Sequence, residues 1–310
     1  MNKFKYSLDN KRYHTYNYHL KNKFNSKVAK ISLNASFTCP NRDGKIDTTG
    51  CLYCSAKGSG DYAGDRKLSI TDQFYQIKEI MDQKWDNLKY IAYFQAFSNT
   101  YKPLNELKQI YEEALALPNV VGMNIATRCD TIDDDLIDYL AELSQKTYLT
   151  IELGLQTIHE QTMQTMNLGY SLDTFTRAVD KLRAKNLNVV VHIINGLPHE
   201  TKEMMIDTVQ YLNNLDIQGI KIHMLHILKN TPLAKIYKNQ PFHILSKAEY
   251  VDIVCEQLCY LNEAIVIHRL TGDAKLEDLI VPDWTIKKVS VINDIDKAMV
   301  KRNYFQGCKT

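Results

Sequence analysis

The 310-residue sequence has no run approaching the eighteen or so apolar residues that a bilayer-spanning helix needs, which argues against a membrane-embedded protein. Its N-terminus, MNKFKYSLDNKRYHTY, lacks an apolar core and a small-residue cleavage site and is therefore no secretory signal. Glycine and proline are sparse, 12 and 7 residues, and no internal repeat, low-complexity tract or clear linker stands out, which excludes collagen-like and repeat architectures. Seven cysteines are an odd number and too thinly spread for a disulfide-stapled secreted scaffold. The net charge of +2 is too small to imply a partner. What is present is ordinary globular composition, 45% hydrophobic and 24% charged, enough to bury a large core. The expectation is a cytoplasmic protein with no membrane partner, in a reducing compartment where clustered thiols serve as metal ligands or catalysts.

Short runs rich in Val, Ile, Tyr and Thr alternate with longer segments of helical period, the pattern of repeated βα units. Strands are expected over 28–37, 90–96, 120–127, 148–155, 189–194, 220–227 and 264–270. Helices are expected over 71–85, 103–115, 133–145, 172–185, 202–215 and 247–262, with Thr71, Asp133 and Ser246 as capping residues. The strand runs are nearly continuous in apolar character, as a parallel sheet covered on both faces requires. Right-handed crossovers would curl about six such units into an α/β fold, a partial parallel (β/α)6 barrel with a C-terminal extension; an open doubly wound sheet is the competing architecture. The segments are a basic, aromatic stretch (1–26), the barrel (27–270) and the extension (271–310). Polar clusters fall at the C-terminal ends of six strands, where a parallel barrel carries its chemistry.

Three cysteines follow the first strand. Cys39 is separated by eleven residues from Cys51-Leu-Tyr-Cys54, and a Gly-rich run, Ser55–Gly64, comes next. A C-x-x-C pair lets two sulfurs converge on one metal centre. Structural zinc needs a fourth ligand, which His14, His19 or Cys129 would have to supply from a distance. A thioredoxin-like redox pair leaves Cys39 unexplained. Three thiolates without a fourth ligand suit an iron–sulfur cube with one iron open to a small molecule. On spacing alone the cluster, zinc and ordinary loop thiols all stand open.

Strand, Cys39 and then Cys51-Leu-Tyr53-Cys54 at the mouth of a partial barrel resembles the radical S-adenosylmethionine (SAM) superfamily, with the first spacing expanded as in relatives of the Elongator catalytic subunit. Phe94-Gln-Ala-Phe-Ser-Asn-Thr-Tyr101, Glu152-Leu-Gly-Leu-Gln-Thr157 and His192-Ile-Ile-Asn-Gly-Leu-Pro-His-Glu-Thr201 each resemble blocks of the YhcC/YtqA-type (MnmL-like) family. So do His223-Met-Leu-His-Ile-Leu-Lys-Asn-Thr-Pro232 and Arg269-Leu-Thr-Gly-Asp273, with Pro282-Asp-Trp284 beyond. The resemblance runs from about residue 4 to the C-terminus.

The resemblance implies that Cys39, Cys51 and Cys54 hold a [4Fe–4S] cluster whose open iron is chelated by SAM. It places Tyr53 against the adenine and Glu152 and Gln156 against the ribose and methionyl part. Strand five around His192 and the segment around His226 form the adenine slot. Where many members use Gly-Gly-Glu to hold the SAM amino group, this chain has Gln95-Ala-Phe-Ser98-Asn99, so Ser98 or Asn99 takes that place. Close relatives carry an Arg where this chain has Leu168, so either another cation, Arg128 or Arg177 as candidates, meets the SAM carboxylate or SAM is held more loosely than in those relatives.

Residues 1–30 hold eight Lys/Arg against one acid, interleaved with Phe4, Tyr6, Tyr13, Tyr16, Tyr18 and Phe24. Cations neutralise phosphates and rings stack on bases, so Lys3, Lys5, Lys11, Arg12, Tyr13, Lys21 and Lys23 are candidate nucleic-acid contacts; the plainer alternative is a cap whose aromatics close the barrel's bottom. Cys255 and Cys259, four apart on a helix, read as buried packing residues. The leading function is a radical SAM enzyme that converts carboxymethylaminomethyl-uridine to aminomethyl-uridine at the tRNA wobble position, served by an electron donor such as flavodoxin or ferredoxin. A radical SAM oxidoreductase on a small molecule, as in the porphyrin-oxidase branch, and a zinc-stabilised RNA-binding protein are the alternatives.

Overall fold

The structure, a computed structural model, describes Phe4, Tyr6 and residues 11–310. In chain order the elements are α1 (Tyr16–Phe24), β1 (Val28–Leu33), α2 (Ile70–Asp82), β2 (Lys89–Phe94), α3 (Leu104–Leu115), β3 (Val120–Thr127), α4 (Asp134–Ser144), β4 (Tyr148–Gln156), α5 (Glu160–Thr165) and α6 (Leu172–Ala184). They continue as β5 (Asn188–Asn195), α7 (Lys202–Leu212), β6 (Gly219–Met224), β7 (Ile227–Leu228), α8 (Pro232–Asn239), α9 (Lys247–Tyr260), β8 (Val266–Arg269), β9 (Leu279–Val281) and α10 (Lys288–Lys301). Seven strands form one sheet in the order β1-β2-β3-β4-β5-β6-β8, every pairing parallel. This is the curled half-barrel expected from the alternating pattern, with β8 as a seventh strand beyond the six units. The doubly wound alternative does not apply, because strands add at one edge in sequence order without a switch point.

The helices cover the sheet's outer face through amphipathic stripes. In α6, Phe175, Ala178, Val179 and Leu182 recur at helical spacing and are all buried, while Asp173, Arg177 and Lys181 carry the solvent side. Ser69 rather than Thr71 caps α2, its side chain accepting from the Asp72 amide, and Thr71 instead donates to Glu113 at 2.9 Å. Asp133 caps α4 and Ser246 makes a full capping box with Glu249 on α9, as expected. The run expected as one strand over 220–227 breaks after Met224, and Ile227–Leu228 turns to pair antiparallel with β9.

The N-terminal segment closes the barrel from below. Tyr16 and Leu20 of α1 pack with Ile91 and Val266, and around them lie Val28 and Tyr148, the opening residues of β1 and β4. Tyr16 also stacks on His268 with ring centroids 3.8 Å apart. The segment before it is tied to α10: Lys11 pairs with Asp296, Arg12 donates to the Met299 and Tyr304 carbonyls, and the Tyr13 hydroxyl donates to Asp296 at 3.3 Å. Among the residues expected to meet nucleic acid, Lys11, Arg12 and Tyr13 are thus committed to the C-terminal helix. Lys21 and Lys23 are exposed at the closed end, and Lys3 and Lys5 lie outside the described residues. Cys255 and Cys259 are fully buried on α9, packed as expected.

Candidate active site

The loop leaving β1 carries all three cysteines, and the 166–170 segment clamps it. The Leu52 amide donates to the Met166 carbonyl at 3.0 Å, and Asn41 Nδ2 donates to the Asn167 carbonyl at 2.6 Å. Asn167 Nδ2 returns a bond to the Gly50 carbonyl at 3.0 Å, and Asn41 Nδ2 lies 3.7 Å from Cys51 Sγ. Gly50 sits at φ +79°, and a Cβ there would lie 2.7 Å from Arg42 Nε. That guanidinium donates to the Cys54 carbonyl at 2.8 Å. Burial pushes the Cys51 thiol up to about 11, with the Cys54 and Cys39 sulfurs adding to it, and raises Cys54 as well. Such thiols bind as thiolates only when a cation compensates them.

The three cysteines open on a cavity of about 460 Å³ at the C-terminal ends of the strands. Tyr53, Ser98, Gln156, His192 and His226, all expected on sequence grounds, line it, as does Arg128. Asn99 does not. It is fully buried, its Nδ2 donates to the Ala126 carbonyl at 2.7 Å, and its own carbonyl accepts from Tyr111, so it braces the strand ends. Arg177 is also away from the cavity, exposed on α6 and paired with Asp173. Arg128 remains, but its guanidinium is already held in a two-bond fork by Asp130 at 2.8 and 2.6 Å and lies 4.9 Å over the Tyr170 ring.

Glu152, also expected on sequence grounds, lines the same cavity, and its carboxylate is engaged by the chain's own residues. The carboxylate is fully buried, with Oε1 accepting from Asn124 Nδ2 at 2.8 Å and Oε2 facing both His192 Nε2 at 2.9 Å and Lys221 Nζ. Burial alone would raise its pKa; the Lys221 ammonium, then His192 and Lys30, more than offset this and hold it well below the usual carboxylate range. Burial pulls Lys221 down in turn, and lowers His192 to about 4, so that imidazole is neutral near pH 7. Glu152 therefore acts as the counter-ion of a cationic floor. Lys30, Tyr93, Lys221, His223 and Arg269 also line this region and were not singled out on sequence grounds. Their signal was alternation: Lys30 and Ser32, Glu152 and Gly154, His192 and Ile194, Lys221 and His223 recur at the period of two that turns one face of each strand inward.

A model described as "Radical SAM superfamily" matches residues 36–212, and one described as "Radical_SAM C-terminal domain" matches residues 217–301. The chain belongs to the radical SAM superfamily. It is 48% identical over 306 residues to the uncharacterized protein YtqA of Bacillus subtilis, covering 99% of this chain and 95% of that one. It is 30% identical over 171 residues, 54% of this chain and 39% of the relative, to a probable threonylcarbamoyladenosine tRNA methylthiotransferase of Methanocaldococcus jannaschii. Among solved structures, Elp3 of Methanocaldococcus infernus shares the fold, with a TM-score of 0.69 at 16% identity over 91% of this chain and 64% of that one.

As a radical SAM enzyme, the protein uses a [4Fe–4S] cluster and SAM. The residues at the mouth suit both. Among the described residues no three His, Cys, Asp or Glu converge as tightly as a single metal ion demands. Ligands around one zinc, at about 2.3 Å from it, put their sulfurs within about 4 Å of each other. In an iron–sulfur cube each thiolate binds a different iron, and the sulfurs stand farther apart. Ser98 Oγ, His223 Nε2 and His226 Nε2 are buried without a hydrogen-bond partner on residues that line the cavity. A polar adenosyl ligand would satisfy such atoms, which otherwise cost free energy. No helix among the described residues is long and apolar enough to cross a membrane.

Proposed function

We propose that the protein is a tRNA-modifying radical SAM enzyme that converts the carboxymethylaminomethyl side chain of the wobble uridine to aminomethyl. Cys39, Cys51 and Cys54 hold the cluster, and Tyr53, Ser98, Gln156, His192 and His226 receive SAM. The observation offered for a polyanionic substrate is a set of three exposed lysines around a largely apolar groove beside the mouth. Leu228 lines the cavity, and the next residue, Lys229, opens a groove with Lys235, Tyr237 and Lys238. These three lysines are exposed and make no ion pair among the described residues, unlike Lys11 or Lys202. Unpaired cations beside a ring, next to a cavity opening, are the footprint of a loop nucleic acid whose base turns inward. The tRNA-directed name of one relative and the resemblance of the sequence blocks support tRNA.

The bound cofactors supply one electron and a 5′-deoxyadenosyl radical that accepts a hydrogen atom. The protein's part is to present the methylene between the amine and the carboxylate and to exclude water. Loss of a hydrogen atom and then of an electron and a proton from that unit gives an imine, and water hydrolyses it to the aminomethyl base and glyoxylate. The second electron returns to the cluster or to a flavodoxin- or ferredoxin-type carrier. In net terms SAM, the side chain and water yield methionine, 5′-deoxyadenosine, the amine, glyoxylate and a proton. Deletion of the protein should leave carboxymethylaminomethyl-uridine unconverted in total tRNA, read by nucleoside mass spectrometry. An unchanged nucleoside profile rejects this substrate. Affinity for tRNA should fall steeply with salt, and Lys235→Glu with Lys238→Glu should weaken binding and flatten that slope.

A further inference from the structure

One cation lining the deep end of the cavity, Lys30, has no ion-pair partner among the described residues. The cysteine loop sits at the mouth. Lys30 is the third residue of β1, well before the strand's exit, and its Nζ lies 5.4 Å from the ring of Tyr16, the residue that plugs the barrel from below. Lys30 Nζ also lies 5.1 Å from the Tyr93 ring centroid, and Lys221 Nζ lies 4.5 Å from the same ring, with a 3.0 Å bond to its hydroxyl. Two ammonium groups therefore share one aromatic ring at the floor.

Their counter-charges are already spent. Glu152 is engaged by Lys221, His192 and Asn124, and Asp273 is shared between Arg269 and Lys288 at 2.5 and 2.6 Å. Lys30 makes no ion pair among the described residues. Its surroundings are two rings, the Glu152 network, the Arg269–Asp273 pair and open cavity; burial lowers its pKa, and the Glu152 and Asp273 carboxylates, each bonded to other cations, only partly offset this. A partly buried cation in that position lacks the anion that would offset its desolvation.

We propose that the floor of the cavity is a carboxylate-binding subsite for the substrate, with Lys30 as the charged anchor. The inference rests on the wobble-uridine reading and deepens it. The carboxylate at the end of the side chain is drawn to the closed end of the barrel, and the methylene beside it is thereby held at the level of the cofactor. It also gives a basis for rejecting the product and unmodified uridine: neither carries the anion, and each would leave Lys30 unpaired.

The test is equilibrium binding under anaerobic conditions to the SAM-loaded, unreduced holoenzyme. The probes are an anticodon stem-loop RNA with carboxymethylaminomethyl-uridine at the wobble position and the same RNA with the carboxylate replaced by its amide. The wild type should bind the acid roughly ten- to a hundredfold more tightly than the amide, the range for losing one hydrogen-bonded charge. Lys30→Met should abolish that preference while leaving amide affinity and cluster content as they were, and Lys30→Arg should restore part of it. Equal affinity for acid and amide in the wild type overturns the subsite, as does a preference that survives in Lys30→Met. If the acid RNA is nevertheless converted on reduction, the wobble reaction stands without the subsite. A Lys30-dependent preference with neither RNA converted retains the subsite and rejects the reaction.

Discussion

Removing Lys221 tests the buried charge network on which the cavity floor is built. The Lys221 side chain is 4% exposed and Glu152 is 0% exposed, and they pair directly inside the barrel. Lys221→Met keeps most of the volume but strips the carboxylate of its nearest cation. Deleting one partner of a buried pair costs about 3–5 kcal/mol, because the other charge stays desolvated. Here the lower end applies, since Lys30 also favours the Glu152 anion and His192 and Asn124 still contact it. The expected loss is about 3 kcal/mol. Glu152→Gln alone leaves Lys221 unpaired and should be similarly costly. The double variant removes both charges, and its loss should fall short of the sum of the two single losses by about 2 kcal/mol or more, the mark of direct coupling. Urea midpoints followed by far-ultraviolet circular dichroism and by tyrosine fluorescence would supply the cycle, with coincidence of the probes as the check on a single transition. Additive losses, or a Lys221→Met midpoint within error of the wild type, would refute a coupled pair.

The remaining expectations concern the mouth of the cavity and its histidines. Cys39→Ala, Cys51→Ala and Cys54→Ala should each abolish iron binding and SAM cleavage after anaerobic reconstitution. Cys255→Ala, deep in α9 and remote from the cavity lining, should retain both; iron and sulfide counts with a 5′-deoxyadenosine assay decide it. Gly169→Ala should weaken cluster retention, because φ is +75° there and a Cβ would meet Asn41 Oδ1, on the residue that positions the Cys51 loop, at 2.9 Å. His14, His192 and His226 are each lowered to about 4 by burial, so the unfolded chain takes up protons that the folded one refuses. Stability should therefore fall as pH drops from about 6.5 towards 4 and go on falling below as depressed carboxylates such as Glu152 and Asp273 protonate, and His226→Gln should make the decline between 6.5 and 4 shallower. Denaturant midpoints across that range measure it, and a flat profile contradicts it.

The sheet was legible because β2, β3 and β5 are largely apolar, Val-, Ile- and Tyr-rich runs, as strands covered on both faces are. The cysteine triad was legible because spacing is a covalent property. The closing of the barrel was not. Helix α1, YNYHLKNKF, has no apolar stripe of its own; Tyr16 and Leu20 gain partners only where the starts of several strands converge on them. Its basic, aromatic composition resembles a nucleic-acid arm for the same reason that it makes a plug: rings cover the strand ends while lysines keep to the solvent. The exposed lysines beside the mouth carry no comparable composition signal, because α8 is only eight residues long and no run of aromatics interleaves with them. Asn99 was misplaced because a side-chain amide at a strand end serves a carbonyl as well as a ligand, and only packing against Ala126 and Tyr111 decides which. Lys30 and Lys221 were passed over because a lysine in a strand ordinarily marks the face turned to water. In a curled sheet the inward face is neither solvent nor close-packed core but the wall of a chamber. Polar and charged residues at a period of two along Lys30-Ile31-Ser32 and Lys221-Ile222-His223 are therefore the sequence trace of that wall.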